Sequence, residues 1–169
     1  MPQAVTHVLL TIIVLDLFRD YIIKAKKKIP LHYIFIGGVF SILPDIDIPL
    51  SWLVNNILGF SIPIVHRTFT HTIFLPLTLL AITLLYHKLN NKKAATIFGI
   101  ITFATFFHLL LDITFTGTIM PLYPFNYYPI GLNLLTKIGL PSFMEAMEAI
   151  ILLLWLWHEE KKHKISDFI

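Results

Sequence analysis

Apolar runs near the length of a bilayer-crossing helix alternate with short polar bursts along the chain. Five runs predict helices: Gln3–Ile23, Leu31–Leu43, Thr68–Tyr86, Ala94–Phe115 and Ser142–Trp157. A full crossing needs roughly 20 apolar residues. Leu31–Leu43, ended by Pro44, therefore reads as tilted or re-entrant, and Ser142–Trp157 as slightly short. Ile48–Val65 and Thr116–Pro141 are apolar but irregular, with Trp52, Tyr123, Tyr127 and Tyr128 among prolines and glycines. Such aromatics suit the membrane–water interface, and irregular backbone cannot lie bare in hydrocarbon. The expectation is an all-α, polytopic membrane bundle of about five helices, one domain over residues 1–169, with two interfacial lid segments. The run Ala4–Ile23 ends in Lys24-Ala25-Lys26-Lys27-Lys28 and lacks a basic n-region and a small-residue cleavage site. It is read as a span with a stop-transfer flank, not a cleavable signal.

Composition agrees: 56% of residues are hydrophobic and only 14% charged, with mean hydropathy +0.77, which is far from a soluble domain. A pI near 9.1 would suit nucleic acid. The lysines instead sit in bursts that five spans would place on one side: Lys24 to Lys28, Lys88, Lys92, Lys93, and Lys161 to Lys164. Only Arg67 and Lys137 fall on the other side. Lysines and arginines concentrate on cytoplasmic loops, so the N-terminus is expected outside and the C-terminus inside. Membrane lipids are the expected partners, and no nucleic acid is. Cysteine is absent, which removes disulfides and thiolate metal sites.

Ionisable residues interrupt the apolar runs in three places: Pro44-Asp45-Ile46-Asp47, His66-Arg67-Thr68-Phe69-Thr70-His71, and His108-x-x-x-Asp112. Such groups are costly in lipid-like surroundings unless paired or metal-bound. Imidazole nitrogen and carboxylate oxygen suit a divalent metal such as zinc, with manganese or iron as alternatives. His108 and Asp112 are one helical turn apart on one face; the rival reading is a simple hydrogen-bonded pair. His66 and His71 straddle a helix start that Thr68 or Thr70 could cap. Arg67 has a fork that matches phosphate or carboxylate. Asp45 and Asp47, if extended, point the same way, and two such acids repel unless a cation lies between them. One is expected as a ligand and the other as bridge or general base.

Depth adds His7. His7, Asp45 and His71 each lie 17 residues from a lysine burst, and His108 and Asp112 lie 15 and 19. At about 1.5 Å per helical residue these positions converge roughly 22–29 Å from the basic side, near the outer interface. Glu145 and Glu148 share a helix face; Glu145 can complement the helix dipole, Glu148 lies too deep for that, and either could bind a second ion, orient a ligand histidine or act as base. Asp16 and Arg19, one turn apart, read as an ion pair.

These residues, in the order Thr6-His7, Leu43-Pro44-Asp45-Ile46-Asp47, His66-Arg67-x-x-Thr70-His71-Thr72 and His108-x-x-Leu111-Asp112 with Gly117 and Pro124-Phe125, resemble the YdjM-like family over about residues 4–130. The resemblance implies a LexA-regulated, multi-pass inner-membrane, metal-dependent hydrolase. A looser similarity to the helical zinc phospholipase C and P1 nuclease group implies His7, Asp45 or Asp47, His66 or His71, His108 and Asp112 as ligands. That group's later H-x-x-x-E helix is lacking here, with Glu145-x-x-Glu148 in a comparable place.

The expected function is therefore hydrolysis of a lipid phosphoester at the outer interface. One or two ions would be held by His7, Asp45, Asp47, His66, His71, His108 and Asp112. Asp47 or Glu148 would take a proton, and Arg67 would stabilise phosphoryl charge. The rivals are a divalent-cation or proton transporter and a non-catalytic protein with a structural metal.

Overall fold

The computed structural model describes residues 4–24, 29–57, 67, 69–115, 117–134, 137 and 143–163, with backbone alone for 143–146 and 163. Among these residues the chain is all-helical, with no named strand. The helices are α1 (Ala4–Leu17), α2 (Leu31–Phe40), α3 (Asp47–Asn56), α4 (Phe74–Lys88), α5 (Lys92–Thr114) and α6 (Phe143–His163). A π-helical turn, Phe18–Ile23, continues α1, and a 3₁₀ turn, Leu43–Ile46, links α2 to α3.

α4 and α5 pack side by side as a helical hairpin. Asn90 supplies the left-handed residue at its tip (φ 57°), and the Asn91 side chain caps α5 by accepting from the Ala94 amide at 3.1 Å. Thr83 and Thr102 hydroxyls meet across the pair at 3.3 Å. α2 lies against both α1 and α5. Gly37 and Gly38 make that possible: a Cβ on Gly37 would come within 2.4 Å of Leu15 Cδ1, and one on Gly38 within 2.5 Å of Ile12 Cγ1. Small residues of this kind let helices approach backbone-close. Leu15, Tyr33, Ile34 and Ile100 form the core at this crossing.

The distribution of polarity is inverted relative to a soluble bundle. His7, Asp16, Arg19, His71, His108 and Asp112 are all buried, while Ile22, Phe35, Leu84 and Leu153 are each more than 60% exposed.

Several expectations are corrected. Among the described residues only α5 is long and apolar enough to cross a bilayer alone. α2 with the 3₁₀ turn and α3 qualifies as a second crossing only if the pair, bent by 44°, is one broken span, and α4 is apolar but 15 residues long. All-helical architecture thus stands, whereas length and composition do not supply five spans. The first half of the Ile48–Val65 lid is helix α3; its Pro49 is tolerated in the first turn, where a helix has no internal use for the amide. Asp45 and Asp47 are not in an extended stretch, because Asp45 lies in the 3₁₀ turn and Asp47 begins α3. His71 lies in the turn before α4, which starts at Phe74 and not at Thr68. The 117–134 segment is irregular as expected and pinned in three places: Ile119 and Ile130 exchange backbone hydrogen bonds of 3.0 and 2.9 Å, the Ile73 amide donates to the Pro121 carbonyl, and the Leu132 amide to the Ile113 carbonyl.

Candidate metal centre

Four separate parts of the chain deliver side chains to one buried point. The first turn of α1 brings His7, the 3₁₀ turn Asp45, the turn before α4 His71, and the last two turns of α5 His108 and Asp112. His71 Nε2 stands 3.3 Å from His108 Nε2. Asp45 Oδ1 closes a triangle on that edge, 3.2 Å from His71 Nε2 and 3.5 Å from His108 Nε2. Asp112 Oδ2 closes a second triangle, at 3.3 and 3.5 Å. Tetrahedral zinc with bonds of about 2.0–2.1 Å requires ligand atoms roughly 3.3–3.4 Å apart. Each triangle has the size of one face of such a site.

Protons alone satisfy this arrangement poorly. Two imidazole nitrogens that face each other can share only one proton, and two carboxylates converge on the same place. Burial alone would lower the His71 pKa, but hydrogen bonds to Asp112 and then Asp45 outweigh it and hold that ring above its ordinary value. The positive charge that the carboxylates call for can equally be a cation.

Thr70 and Asp47 fix the orientation of His71. The Thr70 hydroxyl donates to Asp47 Oδ2 at 3.0 Å and lies 3.1 Å from His71 Nδ1. Its one proton is committed to the carboxylate, so Nδ1–H donates to Thr70 and Nε2 presents its lone pair inward. Partners of this kind set the tautomer of a metal-binding histidine. Asp47 therefore sits behind His71, with Oδ2 at 4.0 Å from Nδ1, and not among the inward atoms as the sequence suggested.

A second group adjoins the first. His7, His108 and Asp112 offer three ligand atoms within 4.8 Å of one another, as do Asp45, His71 and His108. Buried His/Asp groups here could thus hold a metal ion. His7 Nε2 lies 3.6 Å from Asp112 Oδ1, and its ring is 4.0 Å from that of His108. Neither His7 nitrogen has a hydrogen-bond partner among the described residues, though the side chain is buried. An orphaned buried imidazole beside a carboxylate is a costly arrangement for a metal-free protein.

Arg67 Nη2 reaches Asp112 Oδ1 at 3.1 Å. Its guanidinium occupies the space a side chain on Gly117 would need: a Cβ there would come within 1.7 Å of Arg67 Nη1. Gly117 (φ 153°) is thus required twice, by conformation and by this contact.

Glu148 lies outside both groups, where it accepts a hydrogen bond from Thr6, the residue before His7. His66 and the Glu145 side chain are outside the described residues. An apolar pocket of about 310 Å³, walled by Leu43, Ile46, Phe69, Phe74 and Leu75, opens beside Asp45 and His71. The roles of Thr70 behind His71 and of Gly117 against Arg67, and the setting-back of Asp47, were missed from sequence, because each depends on contacts between segments far apart in the chain.

At the far end of α1 a second polar cluster is internally paired. Arg19 bonds Asp16 at 2.7 Å, as expected, and also Asp20 at 2.8 Å; Lys162 of α6 reaches Asp20 at 2.5 Å.

The sequence matches the family described as YdjM inner membrane protein over residues 1–166, and the chain belongs to that family. No curated protein and no solved structure matches it.

Proposed function

From an inner-membrane protein of the YdjM family with this buried cluster, we infer a metal-dependent hydrolase that cleaves a phosphoester of a lipid-like, amphipathic substrate at the outer membrane interface. The observation that carries the reading is the pair of triangles on the His71–His108 edge, whose sides suit a zinc-sized cation; manganese and iron are the alternatives. Asp45, His71, His108 and Asp112 hold this ion. His7 Nε2 and the other oxygen of Asp112, Oδ1, 3.6 Å apart, would offer donors to a second ion beside it. The four donors of the first ion would fill a tetrahedral shell, so the neighbouring position, with fewer protein donors, is the one that would leave room for water, as catalytic zinc sites do. A cation bound there supplies Lewis acidity and lowers the pKa of a water to about 7.

The chain's own groups do the rest. Arg67, bonded to Asp112 at the edge of the cluster, is the guanidinium placed to stabilise charge on phosphoryl oxygens. Asp45, at 17% the most open of the inward carboxylates, accepts the proton. Asp47 acts through Thr70 to aim His71, and Glu148 acts through Thr6 to fix the first turn of α1. The helices together form the membrane-embedded bundle, with the lysine-rich ends cytoplasmic and the metal centre extracytoplasmic.

The test is direct. The full chain, purified in detergent, is assayed for metal per chain and for phosphate or headgroup release from phospholipids and alkyl phosphates. Alanine at His108 or Asp112 removes both metal and turnover. Full turnover by a metal-free variant ends the hydrolase reading.

A further inference from the structure

An apolar crevice runs along α1 and α6 from Glu148, which bonds Thr6 beside the metal ligand candidate His7, to the ionic cluster at Asp16. Its outer part, about 580 Å³, is walled by Val8, Leu9 and Ile12 of α1, Ile42, and Leu152 and Trp155 of α6. Its inner part, about 230 Å³, shares Ile12 and Trp155 and continues past Ile34 and Phe35. Polar side chains stand only at the ends. Glu148 is at the outer mouth, bonded to the residue next to His7. Asp16 and Glu159 close the inner end, where Arg19, Asp20 and Lys162 tie the cluster together.

We propose that this crevice receives one acyl chain of the substrate, and that the buried ionic cluster is the floor that limits its length. The proposal rests on the hydrolase reading for the word substrate, but not for the binding itself. The apolar walls give a headgroup nothing to bond, and the protein belongs to an inner-membrane family, so a hydrocarbon chain is the chemistry that matches the lining. From Ala4 to Asp16 the helix advances about 18 Å. An extended chain gains about 1.25 Å per carbon, so the crevice takes roughly 14 carbons, comparable with one leaflet's ~15 Å of hydrocarbon. A chain longer than that meets charged, paired side chains that it cannot displace without leaving ions bare in a buried site.

Trp155 lines both parts of the crevice and serves as the reporter. In the full chain carrying Trp52→Phe and Trp157→Phe, Trp155 is the sole tryptophan of the three. It is titrated, in detergent, with monoalkyl phosphates brominated in mid-chain. Saturable quenching is expected, with affinity rising with chain length to about 14 carbons and then levelling. Ala149→Phe should fill the outer part and weaken binding at least tenfold with zinc content unchanged. Val8→Phe does the same from the opposite wall and serves if Ala149→Phe does not fold. Leu75→Phe, in the pocket beside Asp45 and His71, should leave quenching as it was. Non-saturable quenching, affinity still climbing at 18 carbons, or sensitivity to Leu75→Phe in place of the crevice variants overturns the proposal. Saturable binding without phosphate release from any probe refutes the hydrolase reading and leaves the crevice standing.

Discussion

Replacing Thr70 by valine keeps the shape of the side chain and removes one oxygen, and it should weaken metal binding without touching a ligand. That oxygen is 3.0 Å from Asp47 Oδ2 and 3.1 Å from His71 Nδ1. In Thr70→Val the Nδ1 proton loses its acceptor. Asp47 Oδ2, 4.0 Å away, is too far to replace it without movement. The ring is then free to carry its proton on Nε2, the nitrogen that must be bare to bind a cation. Loss of such an outer partner typically lowers metal affinity about 10- to 100-fold, equivalent to about 1.4–2.8 kcal/mol. Zinc affinity of the purified full chain, measured by competition with a chromophoric chelator, reads this out. Thr70→Ser retains the hydroxyl and should recover most of the loss. Valine binding zinc within twofold of the parent, or serine binding as weakly as valine, would refute the tautomer argument.

Other outcomes follow from the same geometry. His7→Ala should lower the metal-to-chain ratio in elemental analysis while His71, Asp45, His108 and Asp112 still retain one ion. Arg67→Lys should keep the metal and lose at least tenfold in phosphate release, because a point charge cannot reproduce the planar fork. Gly117→Ala should resemble Arg67→Lys in turnover and metal content, since its Cβ meets the guanidinium at 1.7 Å. Gly38→Leu should lower the unfolding temperature in detergent, with about 1–3 kcal/mol lost to overpacking against Ile12.

What could be read without coordinates was what periodicity and distance along the chain encode. His108 and Asp112 are four residues apart in an apolar run, which puts both on one helix face in α5. Equal separations from the lysine bursts put His7, Asp45 and His71 at the same level, and each falls in one of two adjoining groups that share His108. Asp16 and Arg19 pair as their spacing suggests. The remainder depended on where separate segments come together. Lys162 and Asp20 are joined only because α6 lies beside the π-helical turn, and no local pattern announces that. Asp47 follows Asp45 by two residues, yet the 3₁₀ winding turns the two carboxylates to opposite sides of His71. The aromatic, Pro-bearing stretch after Asp47 looked irregular, but a proline in a helix's first turn disrupts nothing, and α3 forms through it.

Because the inward atoms come from residues 45, 71, 108 and 112, the cluster does not exist until the chain has been made through α5. During synthesis Asp45 and His71 leave the ribosome before the α5 residues that they meet in the fold. His108 belongs to both three-donor groups, so a chain that stops short of it would carry neither.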